Sequence, residues 1–190
     1  MLVSEIIARA FIKAGDAGQT TYSPFQMLNA YNDANRIVHK VILDSFPDMI
    51  EVVEAINTTA GQPITLTSKA LRITDVRVEN NKIYPINSKE IDDLNATGKP
   101  ENYYMANLSS MKFYPLPNAI YSVSVTYVPS YTDALTTDES GYPSEIEMLM
   151  LAYMVALLTG QDTGATTLAD EVGKILGNVN NETIMVRGYY

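Results

Sequence analysis

The chain has 190 residues, 46% hydrophobic and 18% charged, enough for one packed core or one core carrying an insertion, but short for two independent domains. Its 22 acidic and 13 basic residues give a formal net charge of -9, which repels nucleic acid and argues against sequence-reading DNA binding. The absence of cysteine excludes disulfides, thiol catalysis and cysteine-ligated zinc.

The opening run MLVSEIIARAFIKAG lacks a basic leader, a long apolar core and a small-residue cleavage site, so it reads as a folded helix rather than a signal peptide. That helix is expected from Ser4 to Ala14, with Ser4 as N-cap, Ile6, Ile7, Ala10, Phe11 and Ala14 on one face, and Gly15 ending it. The next start signal is stronger. Ser23 is placed as N-cap, Pro24 opens the first turn and Gln26 completes a capping box for a helix reaching Phe46. Leu28, Tyr31, Ala34, Val38, Val41 and Ile42 form its apolar stripe, with Asn32, Asn35, Arg36 and Lys40 opposite.

From Glu51 to Val128 the period changes to alternation broken by regular turn signals, which predicts short antiparallel strands. Strands are expected at Val52–Ile56, Ile64–Leu66 and Leu71–Val78, then a tight turn at Asn80-Asn81 into Lys82–Ile86. A short capped helix follows from Asn87 to Leu94, then strands at Tyr103–Asn107, Met111–Tyr114 and Ile120–Val128. In the last of these, Tyr121, Val123, Val125 and Tyr127 share one face and Ser122, Ser124 and Thr126 the other.

Pro143 or Ser144 starts a helix whose residues from Ile146 to Leu158 leave almost no polar face. That run is interrupted only by Glu147 and falls short of the roughly 20 residues that span a bilayer. Gly160 closes it, Thr167–Leu176 forms a last helix, and 178–190 reads as an extended tail. The expected fold class is α+β: a helical layer from the terminal helices (4–46 and 144–177), a central antiparallel β-rich insertion (51–128) and a C-terminal arm (178–190), together one domain.

Little in the chain points to chemistry. The single histidine, His39, has no serine, cysteine or acidic partner at a catalytic spacing. Asp92-Asp93 and Asp138-Glu139 lack a supporting ligand set, and Gly160 to Gly164 lacks the lysine and strand context of a phosphate loop. Arg72, Arg77 and Lys82 are the nearest approach to a basic patch. No catalytic residue, metal ligand or cofactor is assigned. The 13 Tyr against 4 Phe and no Trp suit half-wet contact surfaces, because the ring buries while the hydroxyl stays solvated. Contact between subunits is assigned to Met150, Tyr153 and Met154 on the apolar helix and to Tyr121 and Tyr127 on the long strand.

Several segments in series resemble the adaptor family of tailed bacteriophages. They are Thr21-Tyr22-Ser23 before Leu28-Asn29-Ala30-Tyr31-Asn32-Asp33-Ala34, the central Thr97-Gly98-Lys99-Pro100-Glu101-Asn102-Tyr103-Tyr104, Phe113-Tyr114-Pro115-Leu116-Pro117, Val123-Ser124-Val125-Thr126-Tyr127-Val128-Pro129, and Tyr142-Pro143 opening the apolar helix. No one of them is specific, and their order carries the likeness, which covers about Ser4 to Thr159. The resemblance implies a non-enzymatic virion subunit at the head-to-tail interface, made in the host cytoplasm. It further implies a homo-oligomeric ring, dodecameric in the family, bound beneath the portal protein. Such a ring extends the DNA channel without sequence-specific binding, meets tail or nozzle proteins and involves no membrane. Ile184, Met185, Val186, Tyr189 and Tyr190 are assigned to an arm docking on the portal. Another tail-completion ring protein, a small hydrolase and a binding module built on the β-rich block remain as alternatives.

Overall fold

The computed structural model describes residues 1–91, 93–161 and 165–187, with 178–187 as backbone only. Its architecture is α+β. A helical unit is built from Met1–Phe46 and Tyr131–Tyr190, and a β-rich unit from the continuous segment Pro47–Ser130 lying between them in sequence.

In the helical unit, α1 (Val3–Lys13) buries Val3, Ile6, Ile7, Ala10 and Phe11, the face its spacing predicts. Ser4 is not its N-cap. The helix starts one residue earlier, and the orphan N–H groups of Val3 and Ser4 donate to the main-chain carbonyls of Asp138 (2.9 Å) and Thr136 (3.1 Å). The N-cap is Leu2, whose side chain has no acceptor, so main-chain carbonyls far along the chain serve the first two donors of the helix. Gly15 ends the helix at φ 75°, a left-handed geometry that glycine adopts without penalty.

Helix α2 (Pro24–Ser45) begins as its sequence indicates. Ser23 Oγ accepts from Gln26 N (3.2 Å), and Gln26 Oε1 accepts from Ser23 N (2.8 Å). Its buried stripe is Met27, Ala30, Tyr31, Ala34, Val38 and Ile42, while Leu28 and Val41 are half-buried. Helix α3 (Ser144–Leu158) packs on α1, α2 and α4, and α2 likewise packs on the other three helices, so the two share the centre of the unit.

Helix α4 runs from Ala165 to Arg187. It starts two residues before the expected Thr167, and its backbone stays helical over 178–187, where an extended arm was expected. Gly177 and the asparagines that follow weaken a helix by at most about 1 kcal/mol each, and no proline interrupts the ladder. Tyr189 and Tyr190 lie outside the described residues.

The β-rich unit holds β1 (Val52–Asn57), β2 (Ile64–Thr65), β3 (Ala70–Val78), β4 (Asn81–Lys82), β5 (Tyr84–Pro85), β6 (Thr97–Gly98), β7 (Asn102–Asn107), β8 (Ser110–Tyr114), β9 (Leu116–Pro117) and β10 (Ser122–Pro129). One sheet has the order β1-β10-β3-β4, a second β2-β8-β7-β5, and β6-β9 is a separate parallel pair. The strand β10 begins at Ser122, two residues after the expected Ile120, so Tyr121 lies outside it, and the expected alternation holds from Val123 to Tyr127. Val123, Val125 and Tyr127 are buried, with Val123 opposite Val78 and Val125 opposite Val76. These residues join Ile64, Leu66, Tyr103, Met111 and Phe113 in one core shared by the two larger sheets.

The β3–β4 turn is formed by Glu79 and Asn80, both at positive φ (49° and 67°), one residue before the expected Asn80-Asn81. Asn81 is needed opposite Val78 in the ladder, so the turn takes the preceding pair. The expected helix after Asn87 is a single 3-10 turn, Ser88–Glu90, with Asn87 Oδ1 accepting from Lys89 N (3.1 Å).

Candidate assembly surfaces

The polar side chains that attract attention in the sequence are mostly tied to backbone. The Asp16 carboxylate, 5% exposed, accepts from Tyr22 N (2.8 Å), Thr20 N (2.8 Å), Thr21 N (3.0 Å) and Thr20 Oγ1 (3.0 Å), and so shapes the α1–α2 connection. The bond from Tyr22 N, with those from Thr20 and Thr21, holds its pKa below the ordinary carboxylate value. Asp138 Oδ2 accepts from Leu135 N (2.8 Å) and Asp93 Oδ1 from Asn95 N (2.9 Å), whereas Asp92 lies outside the described residues. Buried Glu147 accepts from the Met1 amino group (2.9 Å) and from Ser140 Oγ. Among the described residues no cluster of three His, Asp or Glu side chains is arranged to hold a metal.

Of the basic trio, Arg77 and Lys82 both pair with Asp75, at 2.6 and 3.0 Å, which leaves Arg72 without an ion pair among the described residues. Two of the three cations suggested by the sequence thus share one carboxylate within their own sheet.

A second cluster ties α2 to the segment that leads into α3. Asn32, expected on the polar face, is buried. Its Oδ1 accepts from Ala134 N (2.8 Å) and Tyr131 Oη (3.3 Å), and its Nδ2 donates to Ala134 O (3.3 Å). Arg36 makes a forked contact with Asp133 (2.8 and 3.0 Å) and lies over the Tyr131 ring at 5.5 Å. Tyr142 Oη donates to Asn35 Oδ1 (2.7 Å), and burial pushes the Tyr142 phenol up to about 12. His39 packs edge-on against Tyr131, and burial lowers its pKa. The strap Tyr131–Tyr142 is thus stitched along one side of α2. Helical periodicity gave no sign of it, since the partner of Asn32 is main chain about a hundred residues away.

The surfaces are more telling. On α3, Met150 and Met154 are fully buried in their own chain and have no area to offer a partner, whereas Tyr153 is half-buried. The uncovered arc of the helix instead carries Glu145, Met148 (61% exposed) and Ala152, with Leu149, Tyr153 and Ala156 half-buried beside it. Leu149, Ala152, Tyr153 and Ala156 line a shallow groove of about 330 Å³ against Leu168 and Glu171 of α4. Leu157, near the end of the helix and on the opposite side from Met148, is also exposed (41%), so the chain covers its apolar helix only in part.

In the β-rich unit Tyr127 is buried, with its hydroxyl donating to Glu54 (2.9 Å), and half-buried Tyr121 donates to Asn118 (2.7 Å). Exposed apolar side chains of this unit are spread over Val53, Tyr84, Leu94, Ile120, Leu71 and Leu108, and of these Leu71 (49%) and Leu108 (56%) flank a cavity of about 440 Å³ with Ile73, Met105 and Arg72.

Residues 1–179 match a family model described as SU10 adaptor protein. The chain belongs to that family. It is a family of phage head-to-tail adaptors, so the protein is a bacteriophage structural adaptor and a component of the virion. The match spans the whole stretch, Ser4 to Thr159, on which the serial resemblance rests. No curated protein matches the chain. Among the described residues of the adaptor no helix is long and apolar enough to cross a membrane. An adaptor acts by contact, and the sequence pattern did locate its apolar helix. Which side of that helix stays open was not legible, because a helix apolar all round has no periodic signal to mark its outer face.

Proposed function

We propose that the adaptor closes into a ring of identical subunits beneath the portal, extends the DNA channel and gives tail proteins a platform. The observation that carries this reading is the uncovered apolar arc of α3, centred on Met148, in a chain belonging to a head-to-tail adaptor family. Met148 with the half-buried Leu149, Tyr153 and Ala156 beside it suits a seam between subunits.

The charge agrees with the channel role. The helical unit holds 13 acidic and 6 basic residues, and the β-rich unit 9 and 7, so most of the net -9 sits on the helices. An acidic wall lets DNA slide past, where a basic wall would grip its phosphates. Dodecameric closure follows the family resemblance, and a ring requires that one side of each subunit meet a different side of the next.

In this reading the two units act as one domain with an insertion. The C-terminal residues Ile184, Met185, Val186, Tyr189 and Tyr190 dock on the portal, since they end an otherwise polar stretch with apolar and aromatic side chains. The function is structural, with no catalytic step assigned.

The test is native mass measurement of the purified adaptor alone and mixed with portal rings of the same phage. A complex holding many adaptor copies per portal ring is expected. A stable monomer that ignores the portal would sink the proposal. Deleting Asn181–Tyr190 separates the docking claim: portal attachment unchanged by the deletion rules it out.

A further inference from the structure

We infer that the open groove between α3 and α4 of one adaptor receives the β7–β8 turn of the next copy, with Leu108 as the inserted side chain and Arg72 facing Glu145 across the seam. The inference rests on the ring reading and names the two surfaces that meet.

The turn is built as a rigid knob. Asn107 Oδ1 accepts from Ser109 N (2.9 Å), and the tip is tied to neighbouring backbone by Ala70 N to Leu108 O (2.6 Å) and Leu66 N to Ser109 O (2.8 Å). Leu108 therefore projects from a braced loop, and seating it costs little ordering entropy. Leu71 stands beside it, and the exposed cations Lys69 and Arg72 flank the pair without ion pairs of their own among the described residues.

The groove has the complementary character. Its walls are Leu149, Ala152, Tyr153 and Ala156 with Glu171, which is paired with Lys174, and exposed Glu145 stands one turn before Leu149 on the same face of α3. Charge decides between this pairing and the obvious alternative in which two α3 faces meet. Two α3 faces would set Glu145 against its own copy, whereas the β7–β8 turn brings Lys69 and Arg72, which have no ion pair among the described residues. Unlike surfaces in contact also give the head-to-tail geometry that a ring needs, which an α3–α3 contact does not.

The chain has no cysteine, so introduced thiols report without background. Met148→Cys and Leu108→Cys lie at exposed positions and leave the core intact. The two single variants are mixed under the condition, alone or with portal rings, in which the wild type assembles, then bridged with a short bis-maleimide or by oxidation. Mixing excludes a bond within one chain. The expected product is a covalent heterodimer, with a ladder of higher species from the double variant M148C/L108C. As a second readout, Arg72→Glu or Glu145→Arg alone weakens assembly about tenfold, and the two together restore most of it. Homodimers from M148C alone, or assembly without bridging in the mixture, overturn the pairing and leave the ring reading standing. A wild type that never assembles overturns both.

Discussion

Met148 and Met154 sit six residues apart on α3, yet the same substitution at each should have opposite consequences. Met154 is fully buried and Met148 is 61% exposed. Met154→Asp removes a buried side chain worth about 1.5–3 kcal/mol and places a carboxylate where no donor awaits it, so the loss should reach about 5 kcal/mol. For a chain of this length that lowers the melting temperature by about 10–20 °C. Met148→Asp exchanges one exposed side chain for another and changes helix propensity by a few tenths, for a total of about 0.5 kcal/mol. If the uncovered arc is a seam, however, a carboxylate there should weaken each subunit contact by about tenfold or more. Thermal melting of dilute protein and native mass at assembly concentration together separate the two effects. Normal assembly by a folded M148D would refute the interface argument, and an unshifted melt for M154D would refute the burial argument beneath it.

Two further perturbations test the internal stitching. Asn32→Ala leaves the Ala134 N–H and C=O without partners and should cost about 3 kcal/mol. Tyr131→Phe removes only hydroxyl bonds to Asn32 and should cost about 1 kcal/mol, with the pair coupled by at least about 0.5 kcal/mol in a double-mutant cycle. For Asp16, whose folded pKa lies below its unfolded value, the carboxylate's contribution is fully present above the unfolded value of about 3.9 and is lost as pH falls through the folded one. Melting temperature followed down from pH 5 should therefore drop less steeply for Asp16→Asn than for the wild type, and parallel curves would contradict the assignment.

What was legible in the sequence was local. The Ser23-Pro24-Gln26 start signal acts over one turn, and the alternation of β10 records one buried face, so both appear where expected. What was not legible depends on distant backbone. The α1 N-terminus is capped by carbonyls near residue 137, a polar asparagine is drawn into the helical core by Ala134, and the two-residue parallel pair β6–β9 is too short to leave a pattern. The proposed assembly surface falls between these cases. The sequence marks α3 as apolar almost all round, but only packing could assign Met150 and Met154 to the inside and leave Met148 out.

Charge sets a last condition on assembly, and its magnitude can be worked out. Two bodies of net charge -9 with centres about 35 Å apart repel by about 10 kcal/mol in unscreened water. With a Debye length of about 30 Å at 0.01 M ionic strength about 3 kcal/mol remains, and with about 8 Å at 0.15 M only about 0.1 kcal/mol. The rim pairs that salt also screens contribute at most about 1 kcal/mol each. Long-range repulsion is therefore the larger salt-sensitive term, while the apolar contacts at Met148 and Leu108 are indifferent to moderate salt. Raising ionic strength from about 0.01 to 0.15 M should tighten each subunit contact by up to about a hundredfold, the equivalent of the 3 kcal/mol removed, with little change beyond. Light scattering across a salt series measures this directly. Assembly that weakens steadily from the lowest salt upward would mean that ion pairs, not buried apolar surface, hold the copies together, and the seam would have to be sought among the charged faces instead.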